Sequence, residues 1–257
     1  MRELTMLLAA TILLGLAGCQ PETDTQADEA VSTGAAEDEV AAPELAADLA
    51  EARAFEAAWD AAAPVTASDP RLNDDEDARW PEPIQGSYVF EGGELVPLST
   101  DLFALVSSGH TQSGRGKGAV AIHYLTRTED GFRRVGSEPL FIAGGDAGQP
   151  PSFIVEQGLT PSPSLVITTS IPANGGTCAS SQLVELAPSQ PVLRATGIPA
   201  RYQAAQADRS WQGAFQPGRT GRDFDVDYTG ASEGTATWVL TDAGTYRASG
   251  QPRLAGC

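Results

Sequence analysis

Histidine is the side chain that most readily moves protons near neutral pH, and this sequence of 257 residues contains two, His110 and His123. His110 lies in a stretch rich in serine and glycine, residues 107–118. A serine paired with a histidine and a distant aspartate is the arrangement of nucleophilic hydrolases. The sequence lacks the G-x-S-x-G elbow, so a periplasmic hydrolase that uses this loop, with His110 as the base, is kept as an alternative. His123 lies in an apolar strand pattern, which indicates a structural role.

The one concentrated basic segment is Gly114-Arg115-Gly116-Lys117-Gly118. It lacks the P-loop pattern and precedes a predicted strand, not a helix. A glycine-rich turn between two cations can accept an anion through its backbone N–H groups, but the same glycines suit an ordinary loop equally well. We therefore name His110, Arg115 and Lys117 as a possible ligand or anion loop.

Three aspartates alternate with apolar residues in the segment Asp223-Phe224-Asp225-Val226-Asp227-Tyr228. The first three acids of a calcium loop have the same spacing, but Tyr228 stands where that loop requires glycine, and residue 234 is glycine where it requires glutamate. The alternation is typical of a strand with one apolar face. Weak Ca²⁺ binding stays open, and the sequence predicts no metal site, cofactor or catalytic residue.

Charge is distributed unevenly along the chain. The whole chain has 34 acidic and 16 basic residues, a net charge of −18. Residues 20–79 contain 17 acidic and 3 basic side chains, a net charge of −14. Clustered lysine and arginine are what nucleic acids and anionic lipid surfaces attract. The composition therefore argues against a nucleic-acid partner and against electrostatic docking on membranes.

An apolar run over residues 4–18 follows Arg2 and ends in Leu16-Ala17-Gly18-Cys19. Its length is that of a signal peptide. The four final residues resemble the lipobox of bacterial lipoproteins, in which the cysteine receives a diacylglycerol and the peptide before it is removed. The resemblance implies a signal peptide over residues 1–18 and lipidation at Cys19. Because Gln20 replaces the aspartate of inner-membrane retention, it also implies an outer-membrane anchor, with the protein facing the periplasm.

The segment 19–79 is predicted to be an acidic tether. Residues 20–43 have almost no large apolar side chains, so they are expected to be disordered. Residues 44–62 are different, because an apolar stripe recurs there at helical spacing. It consists of Leu45, Leu49, Ala52, Phe55 and Trp59. We expect this helix to dock on the folded domain or to fray within the tether, with partner binding and insertion at a membrane surface as the alternatives.

Residues 80–257 form the predicted β domain, with 24 of the 27 glycines and 14 of the 18 prolines. Short apolar, β-branched or aromatic runs between turn residues predict strands. They cover 86–90, 101–107, 118–126, 131–135, 152–157, 164–171, 181–187, 191–196, 223–229, 235–241 and 244–248. The expected fold is all-β, an antiparallel sandwich or partly closed barrel of about ten short strands.

Two cysteines remain once Cys19 is assigned to lipid, namely Cys178 and the final residue, Cys257. An even remainder in an exported protein favours one disulfide. Free thiols, or an intermolecular bond through Cys257, are the alternatives.

The run Gly144-Gly145-Asp146-Ala147-Gly148-Gln149-Pro150-Pro151-Ser152-Phe153, with the upstream hairpin 124–132, resembles a pattern in uncharacterised exported bacterial domains. That resemblance implies no activity. The preferred function is a lipid-anchored, non-enzymatic β domain that binds a protein, an envelope polymer or a small ligand. Inhibition of a cell-wall-degrading enzyme is a further alternative. The sequence does not indicate an oligomeric state.

Overall fold

A computed structural model describes residues 47–68, 86–173, 175–250 and 252–257. The predicted signal peptide, the lipobox with Cys19 and the acidic residues 20–43 lie outside the described residues. The same is true of residues 44–46, at the start of the predicted helix, and of the end of the tether, residues 69–79.

The described chain contains one α-helix, α1 (Ala47–Trp59), and fourteen strands. The strands are β1 (Val65–Ser68), β2 (Ser87–Phe90), β3 (Glu94–Pro97), β4 (Leu102–Thr111), β5 (Gly118–Thr128), β6 (Gly131–Gly144), β7 (Ser152–Glu156), β8 (Ser164–Ala173), β9 (Gly176–Leu186), β10 (Pro191–Ala204), β11 (Trp211–Pro217), β12 (Asp223–Gly230), β13 (Gly234–Leu240) and β14 (Tyr246–Ser249). A short 3₁₀ turn, Ala207–Arg209, follows β10.

The strands form two antiparallel sheets, which confirms the predicted all-β class. The first sheet has the order β1-β2-β4-β5-β6, and β3 also pairs with β4. The second sheet runs from β7 to β14 in chain order, each strand pairing with the next. Sequential neighbours need only tight turns, and this explains the high content of glycine and proline.

The central strands of the first sheet, β4 and β5, are buried on both faces. Along β4, Phe103 and Leu105 face one apolar cluster, whereas Ala104 and Val106 face another. The second of these clusters also contains Leu165 and other residues of the second sheet, so the two sheets pack face to face there. Successive side chains of a strand point to opposite faces. Because both faces of β4 and β5 are buried, their sequences are almost continuous apolar runs.

Helix α1 covers the outer face of the first sheet. Ala54, Phe55 and Ala58 are buried against it. Arg134 of β6 donates from Nη1 to the Ala58 carbonyl at 2.8 Å and pairs with Asp60 at 2.9 Å, which satisfies the end of the helix. Among the described residues, no helix is long and apolar enough to cross a bilayer.

The predicted stripe of α1 is confirmed in part, since Phe55 is buried and Trp59 packs against the same cluster. Leu49 is 46 % exposed and Ala52 is also exposed, whereas Ala54 and Ala58 are fully buried. The small alanine side chains allow the helix to approach the sheet closely. The prediction from the sequence favours positions with large apolar side chains. Both α1 and β1, which pairs with β2, precede residue 80, where the β domain was predicted to begin.

The second sheet curls into a half-barrel whose concave side is filled by aromatic residues. Tyr246 of β14 donates to the Leu159 carbonyl, between β7 and β8, at 3.1 Å, and so ties the two ends of the sheet. The C-terminal residues 252–257 pack against the same core: Trp211 Nε1 donates to the Ala255 carbonyl at 2.7 Å. Cys178 and Cys257 form a disulfide with their Cα atoms 5.7 Å apart, in agreement with the prediction.

Three strands were not predicted, namely β1, β3 and β11. β1 and β3 have four residues each, and Pro97 ends β3. β11 contains Gly213, where a side chain would collide with Val226 and Tyr228 of the neighbouring strand. Glycine and proline weaken a strand pattern in the sequence, but here cross-strand packing decides the structure.

Candidate functional site

The predicted loop around His110 is mostly strand. β4 continues to Thr111 and places His110 opposite Val89 of β2, so that the prediction of a loop over 107–118 is corrected to a turn over 112–117. Ser107 and His110 are three residues apart on β4, so their side chains point to opposite faces. Ser107 is fully buried. The strand therefore separates His110 from Ser107, whereas the exposed Ser108, two residues from His110, lies on the same face of β4 as the histidine.

The basic turn is held by the loop that follows β6. The N–H of Gly114 donates to Thr111 O at 3.2 Å and that of Gly118 to Gln149 O at 3.1 Å. These two backbone N–H groups of the possible anion loop are therefore already bonded to backbone carbonyl oxygens. Arg115 and Lys117 are both exposed. Gly148 closes the arrangement at φ +75°, where a Cβ would collide with the Thr111 hydroxyl, so glycine is required there.

The three aspartates of β12 lie on one face of the strand, as the alternation predicts, and the opposite face is buried in the half-barrel. Asp223 is bound by Arg219, which lowers the pKa of the carboxyl group. Asp227 accepts a hydrogen bond from Thr235 at 2.6 Å. Among the described residues, no group of three or more histidine, cysteine, aspartate or glutamate side chains is placed to hold a metal ion.

A cleft of about 960 Å³ opens between β6, the outer strand of the first sheet, and β10 and β14 of the second. The residues that line it come from three regions of the chain. They are Ile122, Tyr124, Val135, Gly136, Pro139 and Leu140, then residues 189–196, and finally Trp238 and residues 243–248. None of the residues of the basic turn 112–117 lines this cleft.

A register shift in β6 lies beside the cleft. Ile122 and Tyr124, two residues apart on β5, pair with Leu140 and Val135, which are five residues apart on β6. Pro139, between the two pairs, has no N–H to donate to the ladder. The cleft is lined here by Val135, Gly136, Pro139 and Leu140.

An ion pair joins Arg194, in the lining of the cleft, to Glu185 of β9. Arg194 Nε donates to Glu185 Oε2 at 2.6 Å, and Nη2 approaches the same oxygen at 2.5 Å. The Glu185 side chain is only 3 % exposed, and its Oε1 accepts from the Ser162 N–H at 3.2 Å. Arg194 Nη1 also donates to the Gly244 carbonyl at 2.8 Å, which fixes the turn between β13 and β14.

Three aromatic side chains complete the walls. The Tyr124 hydroxyl donates to Ala187 O at 2.8 Å, and burial, with the nearby Glu185 carboxylate, raises the pKa of Tyr124 well above its usual range. Burial also raises the pKa of Tyr246. Trp238 stacks on Phe224 with ring centroids 6.0 Å apart, and its Nε1 has no hydrogen-bond partner among the described residues.

A search of protein-family models, curated proteins and solved structures finds no match to this chain. The chemistry of the cleft is therefore inferred from its own side chains. Its described lining includes no imidazole, thiol or carboxylate. Two arginines, two tyrosines, the hydroxyl groups of Ser189, Thr196 and Thr245, and an apolar surface are groups that can hold a ligand.

A second group of polar side chains is buried under α1. His123 is 2 % exposed, and its ring contacts that of Trp59 edge to face, with centroids 4.4 Å apart. Both ring nitrogens of His123, Trp59 Nε1 and Ser107 Oγ are without hydrogen-bond partners in the described chain. Burial, with the nearby Arg134 cation, lowers the pKa of His123 to about 3. The histidine is neutral at pH 7, in agreement with a structural role.

Acid should weaken the fold through this residue. The unfolded histidine gains a proton near pH 6.5, whereas the folded one does not until about pH 3, so stability is present above pH 6.5 and is lost as the pH falls. At pH 5 the loss is about 2 kcal/mol. His123→Phe should remove this component, as measured by urea unfolding at pH 7 and pH 5. His110→Gln is the control, and a variant His123→Phe as acid-sensitive as the wild type would contradict the assignment.

Proposed function

We propose that this protein is a lipid-anchored envelope lipoprotein whose β domain binds a small ligand, without catalysis, in the cleft between β6 and β14. The observation that carries the proposal is the cleft itself. Its volume of about 960 Å³ is at the upper end of the range of about 300–1,000 Å³ found for small-molecule sites. Its walls combine an apolar surface with a few oriented polar groups, which is the usual composition of such a site.

The position of the cleft also supports binding. It lies between the two sheets, so its shape is set by packed strands rather than by one loop. The Arg194–Glu185 pair and the bond from Arg194 to Gly244 link β9, β10 and the β13–β14 turn. A site held in this way is formed before the ligand arrives, so little binding free energy is lost in ordering it.

Anchoring at Cys19 is the second part of the proposal, and it is supported by the lipobox resemblance alone. The docked helix leaves 27 residues between Cys19 and Ala47. A random coil of that length has an r.m.s. reach of ~30 Å. The proposed tether would therefore hold the cleft close to the membrane surface, on the periplasmic side of the outer membrane.

The anchor is tested by metabolic labelling with palmitate. We expect wild-type protein to incorporate label and to fractionate with membranes, because several acyl chains give stable anchoring. Cys19→Ala should abolish labelling and release the protein. Labelling that persists in this variant would exclude Cys19 as the acylated residue.

The binding role is tested by blocking the cleft. Val135 lies on β6 at the cleft and is 47 % exposed, so Val135→Trp adds bulk there without disturbing the core. Full-length protein purified from its own envelope should yield a ligand on solvent extraction, and the variant should yield little or none, as measured by mass spectrometry. Ile154→Trp is the matched control, because Ile154 is 52 % exposed on β7 and lies outside the cleft.

A further inference from the structure

We infer that the ligand of the cleft is an amphipathic carboxylate, with its anionic head beside Arg194 and Arg247 and its apolar chain along the wall formed by Leu140, Val192 and Trp238. The inference rests on the binding role proposed above and adds the chemical class of the ligand.

The positive charge in the described lining of the cleft favours an anionic ligand. Among the described residues that line it, Arg194 and Arg247 are the ones that carry a full charge at neutral pH, and both are cationic. The lining tyrosines Tyr124 and Tyr246 are neutral at pH 7, as tyrosines ordinarily are, and burial raises the pKa of both further. Because Glu185 balances the charge of Arg194, the net positive charge of the described lining comes from Arg247.

The two arginines have different roles. Glu185 balances the charge of Arg194 and, with Gly244, fixes the orientation of its guanidinium group. A guanidinium group has about five N–H donors, and these two partners take only part of that set. The Arg194 side chain is 23 % exposed and can direct hydrogen bonds to a carboxylate, while the exposed Arg247 supplies the net attraction.

The apolar wall argues for more than a small anion. The same cleft is lined by Ile122, Leu140, Val192 and Trp238, and Val135 leaves an apolar surface exposed beside them. A free carboxylate or phosphate would occupy only a small part of about 960 Å³. An alkyl chain covers such a surface, and each buried CH₂ group favours binding.

The test compares three probes that share one alkyl chain, namely decanoate, decanol and decylammonium, titrated calorimetrically into the full-length mature protein. We expect decanoate to bind about tenfold more tightly than decanol, because a hydrogen bond to a charged group is stronger than one between neutral groups. Decylammonium should bind most weakly. Arg247→Gln should lower the affinity for decanoate about fivefold and leave the affinity for decanol unchanged. Arg209→Gln, an exposed arginine outside the cleft, is the control.

The outcomes distinguish a wrong ligand class from a wrong binding role. If decanol or decylammonium binds as tightly as decanoate, and Val135→Trp abolishes binding of all three, the anionic class is overturned and the cleft remains a binding site. If none of the three binds, the amphipathic carboxylate is excluded, and the extraction experiment with Val135→Trp decides the binding role separately. Equal binding by the wild type and Val135→Trp would overturn both.

Discussion

Replacing Arg194 by methionine is expected to lower the free energy of unfolding by about 3–5 kcal/mol, since it removes one partner of a buried ion pair. The Glu185 side chain is 3 % exposed, and its Oε2 accepts from Arg194 at 2.6 Å. Methionine retains much of the arginine stem but donates no hydrogen bond. The carboxylate would therefore stay away from water, and in the described part of the chain the Ser162 N–H would remain as its hydrogen-bond donor. Urea unfolding at pH 7, followed by circular dichroism, measures the loss.

A double variant shows whether the loss comes from the unpaired charge. Glu185→Gln with Arg194→Met removes both charges, and replacing a whole buried pair is often close to neutral. We therefore expect the double variant to recover most of the stability. Arg219→Met, which breaks the exposed pair with Asp223, is the matched control and should cost far less. A double variant no more stable than Arg194→Met would contradict the role of Glu185.

Removing the disulfide by Cys178→Ala with Cys257→Ala is expected to cost about 2–5 kcal/mol. The bond closes a long loop, because the two cysteines are 79 residues apart in sequence. Without it, the C-terminal segment is held by contacts such as the bond from Trp211 to Ala255. Thermal unfolding with and without a reducing agent measures the effect.

The reducing agent provides the internal control for this prediction. It should lower the melting temperature of the wild type and leave that of the double variant unchanged. If the double variant melts at the wild-type temperature, the disulfide does not stabilise the domain. If the reducing agent lowers both equally, its effect does not act through this bond.

The class of fold could be predicted because it depends on local patterns. Runs such as residues 164–171 between turn residues correspond to β8, and eleven strands were located in this way. The partition into two sheets could not be predicted, since alternate residues of β4 and β5 are apolar on both faces. Such strands do not reveal which face meets the helix and which meets the second sheet.

The residues of the cleft were not predicted, because they come together only in the folded chain. Arg194 and Tyr246 are far apart in sequence, and the register shift in β6 depends on packing between strands. One signal was present: Glu185 and Arg194 are the single charges in two apolar strands joined by a predicted hairpin. Opposite charges across a short hairpin can pair, and this pattern would have indicated the ion pair.

Native mass spectrometry of the protein purified from its own envelope tests whether the cleft between β6 and β14 binds a small ligand. We expect an additional bound mass on the wild type and on Ile154→Trp, and no such mass on Val135→Trp. A wild-type protein without any bound mass, or a bound mass that Val135→Trp retains, would contradict the proposed binding role.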